Sequence, residues 1–219
     1  MALRDICIWP GNFLGYHYYK LFKSSRSFEF QGNSFDYFYH RYNATYRCER
    51  AVEVPIVWQM VEQYQHKRVL EVGNVLANYF YTDHDILDKY KKIDGVINQD
   101  VVDFRVSGSY DLIVSISTLE HVGWDEAPRH PTKIIDAIEN LKNCLAPGGK
   151  LVVTLPLGYN SAMDSLLKTK KLQFDQQYYL KRISADNQWR QVDWPDVAEL
   201  SYNQPYPHAN GLLIGIIDK

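Results

Sequence analysis

The segment Glu120 to Glu126, E-H-V-G-W-D-E, gathers a histidine and three of the chain's carboxylates into one short stretch. An unperturbed imidazole changes charge near neutral pH, so His121 is suited to take a proton from a hydroxyl during group transfer. The same ring also fits a plainer role, tying a turn together by hydrogen bonds. Glu120, Asp125 and Glu126 offer the hard oxygen ligands a divalent cation takes, but a charged, solvated loop uses the same residues. With no H-E-x-x-H and no paired-cysteine pattern anywhere, no metal site is assigned. Tyr159 and Asn160 are further candidates for substrate contact. Asn160 followed by Ser161 also reads as a helix cap.

These residues need a scaffold, and the apolar runs supply it. Tyr110 to Ser117, Y-D-L-I-V-S-I-S, leads straight into the histidine segment and reads as a buried strand. Arg68 to Gly73, R-V-L-E-V-G, is an earlier strand that ends in an acid and a glycine. Asp85 to Tyr90, Gly95 to Asp100 and Lys150 to Pro156 repeat the layout. Ile134, Ile135, Ile138, Leu141 and Leu145 recur at three- and four-residue steps, which predicts a helix over Pro131–Leu145, stopped by A-P-G-G. Ile56, Val57, Met60, Val61 and Tyr64 predict another, opening at Pro55 in its first turn and ending near Gln65. A further helical piece spans Ser161 to Lys168, and strand candidates lie near Trp189–Val197 and Gly211–Asp218. Their connection, Asn203 to Asn210, carries prolines that cannot donate to a ladder, so it belongs outside the sheet. Strands alternating with helices imply a parallel sheet covered on both faces.

The first fifty residues are different. Of 31 aromatic residues, 14 fall between Trp9 and Tyr46, without a clean helical or strand period. The segment 1–50 reads as an aromatic-rich cap, packed by residues such as Phe35, Tyr37, Phe38, Tyr39 and Tyr42 on a domain spanning 51–219. Packing is the first reading of this cluster and a substrate wall the second.

Composition narrows the class. The chain has 219 residues, 46% hydrophobic and 23% charged, enough for one domain with a substantial core. Lys and Arg total 24 against 26 Asp and Glu, a net charge of -2, which leaves no excess positive field for nucleic acid. The longest apolar stretch, Leu212 to Ile217, is far short of the roughly 20 residues a bilayer requires, and Ile6 to Trp9 is too short for a signal peptide. Cys7, Cys48 and Cys144 are widely spaced and form no disulfide framework, so buried reduced thiols and a cytoplasmic location are expected.

Taken together, Tyr110 to Gly123 and the block from Ile134 through L-A-P-G-G to K-L-V-V-T-L-P resemble the class I S-adenosylmethionine-dependent methyltransferases, over roughly Arg68 to Tyr159. The resemblance implies a three-layer α/β Rossmann-like methyltransferase sheet, mostly parallel with a C-terminal antiparallel strand. It also implies S-adenosylmethionine as cofactor. In that family the loop after the first strand reads acidic-x-Gly-x-Gly-x-Gly. Here the matching residues are Glu71, Gly73, Val75 and Ala77, so only the first glycine is kept. Cβ atoms at the other two positions limit how closely backbone can approach a ligand. Asn74 could supply a left-handed residue for the turn.

The resemblance also assigns roles. Asp88 matches the acid that accepts from both ribose hydroxyls, two oxygens for two vicinal donors, with Asp83 and Asp85 as competing alignments. Asp100 matches the residue that accepts from the adenine amino group, with Val101 beside the ring. Their plainer roles are turn and cap residues. Ser117 and Thr118, at the carboxyl end of the strand before His121, match the lining of the sulfonium and methyl. Cofactor contacts are thus expected from Glu71, Gly73, Asn74, Asp88, Asp100, Val101, Ser117 and Thr118, with His121 as the base. The expected reaction is methyl transfer to a small polar acceptor, a sugar or glycan hydroxyl among the options. The alternative is a methyltransferase-like module that no longer turns over and serves an interface. Neither nucleic acid nor membrane is an expected partner, and self-association is left open. A nicotinamide enzyme would need G-x-G-x-x-G, which E-V-G-N-V-L-A does not provide.

Overall fold

The structure is a computed structural model that describes residues 10–219, with side chains from residue 13 onward. Cys7 and the apolar run Ile6–Trp9 lie outside the described residues. The elements run α1 (Pro10–Phe22), β1 (Ser27–Phe30), β2 (Asn33–Asp36), α2 (Arg50–Glu62), β3 (Val69–Val72), β4 (Asp85–Leu87), β5 (Val96–Ile97), β6 (Tyr110–Ile116), α3 (Lys133–Asn143), β7 (Leu145–Pro156), α4 (Ser161–Lys168), β8 (Gln176–Arg182), β9 (Trp189–Val192) and β10 (Gly211–Asp218). β1 and β2 form a separate hairpin. The other strands form one sheet in the order β5-β4-β3-β6-β7-β10-β8-β9. β3 to β7 are mutually parallel, while β10 runs antiparallel to both β7 and β8. This is a mostly parallel, Rossmann-like sheet with helices on both faces and a reversed C-terminal strand. Its last two neighbours, β8 and β9, pair antiparallel as an edge extension.

Alternation along the central strands splits the core into two faces, because successive side chains point to opposite sides of a sheet. Leu70, Val72, Ile113, Leu151, Val153 and Leu213 pack with α3 and α4. Val69, Leu112, Val114, Ile116 and Val152 pack under α2. Further along that second face, Leu180, Leu212 and Ile214 meet the aromatic segment, where Phe28, Phe30, Phe35, Tyr37, Tyr39 and Tyr46 are all buried. These six of the 14 early aromatics are therefore core side chains for the antiparallel half of the sheet. Ile134, Ala137, Ile138 and Leu141 are the buried stripe of α3, as their spacing requires.

Three elements depart from the sequence reading. α2 begins at Arg50, so Pro55 lies inside the helix and not in its first turn. A proline nitrogen cannot donate to the carbonyl four residues back, here Ala51. That carbonyl instead accepts the Phe38 amide of the cap at 2.9 Å, which makes the interior proline tolerable. β7 starts at Leu145 and runs through A-P-G-G, with the register shifting between Tyr110 and Leu112, so this segment is a bulged strand start. A strand not among the candidates, β8, carries Tyr178 and Tyr179 and lies between the two last strand candidates in the sheet. Among the described residues no helix is long and apolar enough to cross a membrane. Cys48 and Cys144 are free and buried.

Candidate active site

A cavity of about 340 Å³ opens at the carboxyl ends of β3, β4, β5 and β6. Crevices at this end of a parallel sheet are where its ligands bind. Six of the sequence candidates line it: Gly73, Asp88, Asp100, Val101, Thr118 and His121. Val72, Leu87 and Val122 give it apolar walls, and Lys89, Tyr90, Gln99, Asp125 and Glu126 complete the lining.

The loop after β3 forms its floor. Gly73 has φ +84, and a Cβ there would sit 2.2 Å from the Thr118 hydroxyl oxygen. The left-handed residue of this turn is thus Gly73 and not Asn74, which does not have positive φ. Glu71 is fully buried and does not line the cavity. Its Oε1 accepts the amides of Val75 and Leu76 at 2.6 and 2.7 Å, and its Oε2 lies 3.1 Å from Nε2 of His84. It shapes the loop from behind, where its carboxylate accepts two amides of the tight turn. Val75 packs with Tyr79 and Phe80 against the α2 face. Neither Val75 nor Ala77 enters the cavity. Asn74 is held by its backbone, donating its amide to Asp88 Oδ2 at 3.4 Å, and its side-chain oxygen is buried with no hydrogen-bond partner among the described residues.

Asp88 follows directly on β4. Its Oδ1 accepts the amides of Tyr90 and Lys91 at 2.8 and 2.9 Å, while Oδ2 has only the long contact from Asn74. One oxygen is fixed by the turn and the other retains accepting capacity. Asp100 is more heavily engaged. Its Oδ2 accepts from Lys89 Nζ at 2.8 Å and from Lys133 Nζ at 2.7 Å, and Oδ1 accepts the Val102 amide at 3.3 Å. Glu126 accepts from the same two lysines, closing a ring of four charges. Burial raises the Asp100 carboxyl, but hydrogen bonds from Lys133 and Lys89 outweigh it and hold it at about 2. The expected acceptor for an adenine amino group therefore keeps only part of its accepting capacity.

Ser117 turns away from the cavity. With φ +38 it occupies a conformation that residues other than glycine rarely adopt. Its hydroxyl donates to Glu53 Oε2 at 2.8 Å, and its amide donates to the Thr154 carbonyl at 3.0 Å. Glu53, fully buried on α2, also accepts from the Thr154 hydroxyl at 2.7 Å and pairs with Arg50. Burial pushes the Glu53 carboxyl upward, against Arg50 and the two hydroxyls. This cluster pins the end of β6 and so the placement of Thr118 and His121.

His121 sits at the far rim of the cavity. Its Nδ1 lies 2.6 Å from Asp125 Oδ2, which also accepts the Tyr159 hydroxyl at 2.8 Å. Burial raises Asp125, but the bonds from His121 and Tyr159 bring it below the usual carboxylate range. On its other edge, Nε2 lies 3.4 Å from Oε1 of Glu120. Glu120 is 2% exposed, and its Oε2 has no hydrogen-bond partner among the described residues. Burial raises its carboxyl well above the ordinary range. Asn160 caps α4, accepting the amides of Ala162 and Met163, and donates to the Glu120 carbonyl at 2.8 Å. The three acids considered as a cation cage diverge: Glu120 goes inward, Asp125 to His121 and Tyr159, and Glu126 to the lysines.

Sequence reasoning did not single out Lys89, Lys133, Arg50 or Glu53. A signal for the last was present, since Glu53 interrupts the apolar A-V-E-V-P-I-V of α2.

No family model matches the chain, and no curated protein matches it. Solved methyltransferase structures do. The chain is similar to the N-methyltransferase NodS of Bradyrhizobium japonicum in complex with S-adenosyl-L-homocysteine, at 15% identity and TM-score 0.44, covering 76% of this chain and 87% of that one. It is similar to a S-adenosylmethionine-dependent methyltransferase of Thermotoga maritima, at 12% identity and TM-score 0.43, covering 78% and 97%. It is also similar to the sugar N-methyltransferase KedS8 of Streptoalloteichus, at 14% identity and TM-score 0.39, covering 78% and 89%.

Proposed function

We propose that the chain transfers a methyl group from S-adenosylmethionine to a small polar acceptor, a sugar or glycan among the candidates. The observation that carries this reading is the cavity itself: Gly73, Asp88, Asp100, Val101, Thr118 and His121 meet at one sheet end, and Val75 and Ala77 stay out of it. The two residues that replace glycines are thus no obstacle to the cofactor. Asp88 Oδ2 would accept from the ribose, Leu87 and Val101 would flank the adenine, and the Gly73 backbone would face the methionine part. When bound, the cofactor supplies an electrophilic methyl on a positively charged sulfur. The protein's share is alignment, exclusion of water and acceptance of the acceptor's proton. His121, oriented through Asp125, supports the proton-accepting role for a hydroxyl. Calorimetric titration with S-adenosylhomocysteine is the test: saturable binding is expected, and its absence overturns the reading.

The second reading, a non-catalytic module that serves an interface, is favoured by two observations. Asp100 already holds two lysines. Leu14, Leu21 and Phe22 on α1 are 70%, 71% and 71% exposed, an apolar patch of the kind found at partner surfaces. Failure to bind S-adenosylhomocysteine would leave this reading standing.

A further inference from the structure

A second cavity, of about 250 Å³, opens where α1 and the segment before α2 meet the end of β8. Arg47, Arg182, Gly15, Tyr19, Tyr46 and Pro207 line it, and none of them lines the cavity at the carboxyl ends of β3 to β6. Arg182, the last residue of β8, is only 6% exposed. Of the five N–H groups of its guanidinium, four are donated to carbonyl oxygens: those of Ser184, Arg47 and Ala185 at 3.1 Å each, and that of Pro207 at 2.7 Å. These bonds hold the group in place but bring no negative charge. Arg47 is exposed, and its guanidinium has neither a hydrogen bond nor an ion pair among the described residues.

Two carboxylates come near, and neither answers this charge inside the cavity. Glu49 is felt by Arg182, but it is buried, its Oε2 accepts the Ala209 amide, and Arg50 feels it as well. Asp186 accepts from the Tyr19 hydroxyl and pairs with Lys23 and Arg26. A guanidinium, unlike a buried carboxylate, cannot escape its charge by exchanging a proton. The surplus reaches His208, whose imidazole is held below its ordinary range by burial and then by Arg182 and Arg47.

We propose that this cavity binds a phosphate monoester, with Arg47 and the remaining N–H of Arg182 on the phosphoryl oxygens and the organic group against Tyr19 and Tyr46. Two positive side chains meet one ligand here. A phosphate monoester carries a charge of about −1.5 to −2 at neutral pH and three acceptor oxygens, so it answers both at once. A carboxylate brings a single charge and two oxygens, which one arginine fork already fills. The walls suit the ester. The Tyr19 and Tyr46 rings pack 5.1 Å apart, and a Cβ on Gly15 would stand 2.7 Å from the Tyr46 hydroxyl, so glycine is what lets α1 close on that ring. With no lining residue in common with the other cavity, this site stands whether or not the chain transfers methyl groups.

Calorimetric titration of the full chain with phenyl phosphate, inorganic phosphate, benzoate and phenol tests it. Phenyl phosphate is expected to bind saturably, and more tightly than each of the other three. R47Q should weaken that binding by roughly tenfold or more, the scale of one charge-assisted contact. Arg47 is exposed and its guanidinium unpartnered, so R47Q should unfold at the wild-type urea midpoint, which separates loss of the site from loss of the fold. Three results overturn the proposal: no saturable binding of phenyl phosphate to the wild type, any of the other three probes bound as tightly, or unchanged affinity in R47Q, which would put the ligand on another cation such as Lys89 or Lys133.

Discussion

His121 and Glu120, adjacent in the chain, stand on opposite sides of one wall: Nε2 of the half-exposed histidine lies 3.4 Å from Oε1 of a carboxylate that is 2% exposed. A turn that places neighbouring side chains in a cavity and in the interior lets one charge be felt by the other. The pH dependence of Glu120 is the most direct reading of that arrangement.

Glu120 has a carboxyl raised by burial, so its folded state holds a proton that the unfolded chain has already lost. Its contribution to stability is complete below the ordinary glutamate value near ~4.3 and is lost as pH rises through the raised value. Asp164, raised to about 6 by burial, acts in the same direction between the ordinary aspartate range and about 6. Urea unfolding of the wild type should therefore show stability falling above that range. E120Q should flatten the upper part of the fall, and D164N the lower part. An unchanged profile in E120Q would contradict the burial argument.

Asp100 has the opposite sign. Its carboxyl is held at about 2, so its contribution is present above the ordinary aspartate value and disappears as pH falls through about 2. Lys133→Met removes one of its two cations. The acid-side loss should then begin at higher pH than in the wild type, seen as an upward shift of the acid unfolding midpoint. The same midpoint in both proteins would mean that Lys89 alone holds the carboxyl.

Gly73→Ala places a methyl 2.2 Å from the Thr118 oxygen at a φ of +84. Backbone strain of this kind costs roughly 1–3 kcal/mol before the clash is counted. Thermal or urea unfolding should show at least that loss. Adding Thr118→Ala should recover only part of it, because relieving the contact leaves the dihedral strain. Full recovery would assign the whole cost to the contact.

Asp88→Asn keeps one accepting oxygen but removes the charge that strengthens a bond from ribose. Binding of S-adenosylhomocysteine should weaken by tenfold to hundredfold, about 1.5–3 kcal/mol for hydrogen bonds to a charged group. Calorimetry with a parallel unfolding curve separates this from damage to the turn, since Oδ1 also holds the Tyr90 and Lys91 amides. Unaltered affinity would remove Asp88 from the ribose site.

The central sheet was legible because its strands are continuous apolar runs and α3 has an uninterrupted stripe. Period and composition act locally there and agree with the packing. The start of α2 was not, because Pro55 signals a first turn unless a distant partner takes the Ala51 carbonyl, and no local pattern reveals Phe38. β8, Q-Q-Y-Y-L-K-R, was obscured because it has neither an apolar run nor a clean alternation. Within the site, the candidates that meet in the cavity are those fixed by strand ends. Ser117 and Glu71 occupy strand ends as well, but their side chains serve Glu53 and the loop amides. Which way a terminal side chain turns depends on tertiary partners such as Thr154 and His84. The lysines of the charge ring were missed because a single lysine just past a strand (Lys89) or at a helix start (Lys133) carries no pattern of its own.

The bond from Phe38 to the Ala51 carbonyl also fixes what happens if the chain is cut between them. An imide nitrogen can never reclaim that oxygen, so α2 cannot heal itself by tightening. A fragment beginning at Arg50 would keep a naked acceptor and would lose the aromatic cover of Leu180, Leu212 and Ile214. The fragment beginning at Arg50 should therefore aggregate when expressed without the segment that precedes it.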